Sequence, residues 1–74
     1  MNLIPEKRLT ALLYIIPERE MPFATKRAAW LVFESGFTYE LAALKTGVSS
    51  KLISLTVRKL NEMDAILFEA YLLG

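Results

Sequence analysis

Lys51, Ser54 and Arg58 recur at spacings of three and four residues. On a helix turning about 100° per residue they fall on one face, with Leu55 between them. An ammonium, a hydroxyl and a guanidinium in a row can donate to phosphate oxygens and base edges, and a leucine among them can meet a thymine methyl. The opposite face carries Ile53, Thr56, Val57 and Leu60. That face turns inward and holds the polar face outward. Leu55 fits a subunit contact as well as it fits a thymine.

Catalytic chemistry lacks its usual parts. The chain has neither cysteine nor histidine, so a disulfide, a thiolate nucleophile and the commonest metal ligands are absent. Proton transfer near neutral pH would fall to carboxylates or lysines. The pair Glu18 and Glu20 reads as solvated charge in a connector. No phosphate-cradling glycine loop and no cluster of metal ligands is present. The expectation is a protein that is not an enzyme, with no cofactor, no metal and no small-molecule substrate.

The polar face needs elements to hold it. Thr38 is a natural N-cap for a helix containing Leu41, Ala42, Ala43 and Leu44, with Glu40 in its first turn. Leu41 and Leu44 read as its apolar side, and one of the alanines as the close crossing point. Gly47 accepts a turn with positive φ, Val48 plugs the space beneath, and Ser49 or Ser50 caps the next helix. Two short helices around a tight turn, the second basic outside, form the layout of a helix-turn-helix, whose second helix lies in the major groove. The reading helix is expected at about 49–60.

Upstream, Pro5 suits a helix start, and Leu9, Leu12, Leu13 and Ile16 give one apolar face that Pro17 ends. A second helix is predicted from about Ala24 to Glu34, with Trp30 as a core aromatic and Ser35-Gly36 as its stop. Downstream, Met63, Ile66, Leu67, Ala70 and Tyr71 follow helical spacing, with Phe68, Leu72 and Leu73 outside that face. An apolar helix over 62–73 exceeds what one small core uses and predicts a homodimer, with a plain core helix as the alternative. A 74-residue chain buries only about 60% of its unfolded surface, and a partner subunit is the remaining source of stability. The fold expected is all-α: one domain over 1–74, a compact bundle of about five helices.

The net charge of +1 says less than its distribution. Lys45, Lys51, Arg58 and Lys59 occupy a stretch without acids, while Glu62, Asp64 and Glu69 occupy the end without bases. That asymmetry points to a nucleic-acid-facing segment beside a tail with another task. No run approaches the roughly 18 apolar residues of a membrane span. The apolar run Leu9 to Ile16 meets Pro17-Glu18-Arg19-Glu20 rather than a signal cleavage site, so the expected location is cytoplasmic.

With these residues in view, the chain resembles two groups of small bacterial regulators. Leu3-Ile4-Pro5, Leu31-Val32, Gly36-Phe37-Thr38, Glu40, the apolar pair before Ser54 and the basic residue before Leu60 are similar to the PapB-type regulators of fimbrial adhesin operons. Leu31-Val32 through Val57, with the Gly47 turn, Ser54 and Val57, is similar to the TrfB/KorA-type plasmid repressors. The resemblance implies sequence-specific binding of double-stranded DNA as a dimer or oligomer, and control of transcription, with repression expected. It nominates Ser50, Lys51, Ser54, Leu55 and Arg58 for base contacts. Phosphate contacts are expected from Thr38, Tyr39, Lys45, Ser49, Lys59 and Lys26. The alternative is a small protein-binding adaptor or inhibitor on the same scaffold, which the near-neutral charge and apolar tail favour.

Overall fold

Proline and glycine divide the chain. The computed structural model describes residues 4–73, and side chains of residues 4–70. Among these residues there are four helices and no strands: α1 (Glu6–Ile15), α2 (Phe23–Ser35), α3 (Tyr39–Thr46) and α4 (Ser50–Leu73). Pro5 and Pro22 are the N-caps of α1 and α2, and their carbonyls accept the first helical bonds from Leu9 and Lys26. Before Pro17, Ile16 is forced into extended backbone at φ −72° and ψ 122°, and α1 stops. Gly36 closes α2 in the left-handed conformation at φ 70°, and the Phe37 N–H returns to the Leu31 carbonyl.

The predicted reading helix and tail helix are a single 24-residue helix, so the described bundle has four members rather than five. Neither glycine nor proline interrupts Ser50–Leu73. The buried positions Ile53, Val57, Leu60 and Asp64 also keep one helical phase across the change in charge. A reversal of charge sign does not stop a helix. At about 1.5 Å per residue α4 is roughly 36 Å long, nearly the whole 40 Å long dimension of the molecule.

Two apolar clusters hold the helices. The first joins Leu9, Leu12 and Leu13 of α1 and its C-cap Ile16 to Met21, Ala29 and Leu60, with Trp30 and Met63 packed at its edge. The second joins Ala28 and Val32 of α2, Ala42 of α3, and Ile53 and Val57 of α4, with Val48 of the turn against it. Here α3 differs from its expected packing. Ala42 is buried, whereas Leu44 is 82% exposed and Leu41 lies outside the core as well. The small pair Ala28 and Ala42 lets α2 and α3 approach closely, and that approach turns the leucines outward.

Periodicity gives no hint of the polar tie between α1 and α4. Arg8 donates from Nε to Asp64 Oδ1 at 2.7 Å and from Nη2 to Oδ2 at 2.9 Å, and its guanidinium stands 5.2 Å from the Phe68 ring centroid. Its pKa is raised, first by the hydrogen bond to Asp64. The raised value keeps the cation's contribution complete at neutral pH, to be lost only as pH climbs through the arginine range. The Asp64 side chain is 12% exposed and that of Arg8 44%. Removing the arginine therefore strands a nearly buried carboxylate, whereas removing the aspartate leaves a cation that water can reach. Arg8→Ala is expected to lower the melting temperature more than Asp64→Ala, and the double variant to lose less than the sum. Equal and additive losses in thermal unfolding would show that the two groups are not coupled.

No helix among the described residues is long and apolar enough to cross a membrane.

Candidate nucleic-acid interface

The turn between α3 and α4 is fastened at each residue. Gly47 takes φ 79° and returns its N–H to the Ala43 carbonyl at 2.8 Å. Thr46 Oγ1 donates to the Ala42 carbonyl and accepts from the Val48 N–H. Ser49 Oγ accepts from the Leu52 N–H at 3.1 Å, so Ser49 rather than Ser50 caps α4. Thr38 does the same for α3, accepting from the Leu41 N–H at 3.1 Å. Both cap hydroxyls keep their own O–H free to donate to an anion.

This rigid joint sets the face of α4 that leads away from it. Ile53, Thr56, Val57 and Leu60 are buried, while Lys51, Leu55 and Arg58 are exposed and Ser54 is half-buried. The outward face has two flanks. Ser54 and Arg58 share a depression with Tyr39 of α3 and with Asn61. Leu55 lies on the other flank with Leu52 and Lys59, beside Met21 and Pro22 of the α1–α2 connector. Leu55 thus sits with Leu52, Met21 and Pro22 in a depression that Glu20 and Lys59 also line, apart from Ser54 and Arg58.

Asn61 was not among the residues expected at this face. It is three beyond Arg58 on the helix, and its amide can both donate and accept. Helical spacing from Ser54 would have found it. Glu62 lines the same depression and ends the basic surface one turn past Arg58.

The remaining nominated residues divide by location. Lys45 is exposed in the last turn of α3, and Ser50 opens α4. Lys26 is elsewhere. Its ammonium donates to the Ile16 carbonyl at the end of α1, and it lines a groove between α1 and α2 rather than the α3–α4 surface.

Of the tail residues, Met63 packs partly into the first core cluster, while Ile66, Leu67 and Ala70 are exposed. The Tyr71 side chain lies outside the described residues, as does Leu3. No family model, curated protein or solved structure matches the chain.

Proposed function

We propose that this protein is a sequence-specific DNA-binding regulator of transcription, a repressor of the PapB or TrfB/KorA kind, in which α3 and α4 act as a helix-turn-helix. The observation that carries this reading is the outward face of α4 up to Lys59, where Lys51, Ser54 and Arg58 lie beyond a turn fastened by Gly47 and Ser49 and α4 itself carries no acid before Glu62. The first three turns of α4 enter the major groove, which is about 12 Å wide and admits one helix. Arg58 and Lys51 donate to guanine O6 and N7, and Ser54 and Ser50 reach neighbouring edges. Thr38, Tyr39, Lys45, Ser49 and Lys59 hold phosphates and fix the register without reading sequence. A two-fold dimer then meets a palindromic operator with half-sites roughly 34–36 Å apart, and occupancy blocks a promoter.

Selection of bound sequences from random DNA tests this reading. The expected product is a palindrome, bound with an affinity that falls steeply with salt, by about 0.9 log units per phosphate contact per tenfold salt. Selection that converges on nothing would overturn it.

A second reading rests on Leu52 and Leu55, half-exposed beside Met21 and Pro22. Such an apolar flank suits a protein-binding adaptor or inhibitor. That function would leave partner affinity nearly insensitive to salt.

A further inference from the structure

Beyond the α3–α4 surface, the largest aromatic exposure lies where α1 meets α2. Tyr14 is 90% exposed and Phe23 70% exposed. Together with Leu13 and Trp30 they line a groove of about 480 Å³ whose charged members are Lys26 and Arg27. At the far end of the chain, α4 presents a matching helix. Ile66, Leu67 and Ala70 are exposed on it, and Glu62 and Glu69, seven residues apart, form one edge of that apolar face. The third acid of the tail, Asp64, is already held by Arg8.

We propose that the groove between α1 and α2 receives the C-terminal turns of α4 from a second copy of this chain. Ile66 and Leu67 enter the aromatic groove, and Glu69 faces Arg27. The complement is in both shape and sign: a basic-rimmed apolar groove and an acidic-edged apolar helix. The tail cannot fill the groove of its own molecule. Leu60 and the Arg8–Asp64 pair fix α4 against α1, and α4 continues unbroken to Leu73. Two-fold symmetry makes the contact twice, which brings two modest patches toward the roughly 1,200 Å² that a stable interface buries. This deepens the dimer in the preceding reading and does not depend on what α4 binds at its basic face.

The absence of cysteine makes the test direct. Phe23→Cys and Leu67→Cys are prepared separately, mixed without DNA and oxidised with oxidised glutathione, while sedimentation gives the mass of the parent chain. The expected result is a dimeric parent and a disulfide joining unlike variants. A monomeric parent, or a Leu67→Cys chain that links mainly to itself, would overturn the proposal, the latter in favour of tail-on-tail pairing. Charge exchange supplies a second readout that leaves the core intact. Arg27→Glu and Glu69→Lys should each weaken dimerisation tenfold or more, and the double variant should recover it. Failure of the double variant to recover counts against the groove. DNA binding lost with the dimer intact counts against the α4 reading alone.

Discussion

Lys51→Ala combined with Arg58→Ala should weaken binding to a selected operator by roughly 30-fold to 10⁴-fold. Each side chain is exposed on the outward face of α4, separated from the other by seven residues and two turns. Each would read a different base, and a well-placed bidentate contact discriminates by about 1–3 kcal/mol. Contacts that share no partner add, so the pair is worth about 2–6 kcal/mol. Neither residue contributes to the two apolar clusters. Thermal unfolding should therefore move by no more than about 0.5 kcal/mol. Lys45→Ala and Lys59→Ala should instead weaken all sequences alike, each lowering the salt slope by about one phosphate. Fluorescence anisotropy against operator and scrambled duplexes separates the two classes. Parental affinity in the Lys51/Arg58 double variant would remove α4 from the reading role.

Leu60→Ala should have the largest effect on the fold, a loss of about 2–5 kcal/mol. Leu60 is fully buried and belongs to the cluster that joins α1, Met21 and α2 to α4. Its truncation removes apolar contact and leaves a cavity that three helices cannot all close. Domains carry roughly 0.05–0.15 kcal/mol of stability per residue, about 4–11 kcal/mol for a chain of this length. The substitution thus removes about half of it and should lower the melting temperature by 10 °C or more, at roughly 4–8 °C per kcal/mol. Leu44→Ala is the matched control. On an exposed surface of α3 the same deletion should change stability by no more than about 0.5 kcal/mol. Urea unfolding followed by circular dichroism measures both. Equal losses would mean that α3 packs through its leucines after all.

Local chemistry decided much that the sequence alone could tell. Proline and glycine placed the ends of α1, α2 and α3, because their backbone restrictions act within two or three residues. Thr38 and Gly47 were legible for the same reason: a cap and a positive φ are local demands. The division of α4 into buried Ile53, Thr56, Val57 and Leu60 and outward Lys51, Ser54, Leu55 and Arg58 followed from period alone. The helical class was likewise legible, and a function in DNA recognition was the inference these local features supported.

What tertiary structure alone decided involves partners distant along the chain. Whether α4 broke near residue 61 depended on a buried phase that only the bundle could continue through Asp64, and that aspartate is tolerable only because Arg8 lies 56 positions away in the chain. Leu44 and Ala42 carry the same helical promise as candidates for burial. The close approach of Ala28 favoured the smaller one. Lys26, a plausible phosphate ligand by charge, was claimed by the Ile16 carbonyl when α1 and α2 came together. A residue's type and spacing determine what it can do. Which of those things it does is set by the group that folding brings within hydrogen-bonding or van der Waals reach.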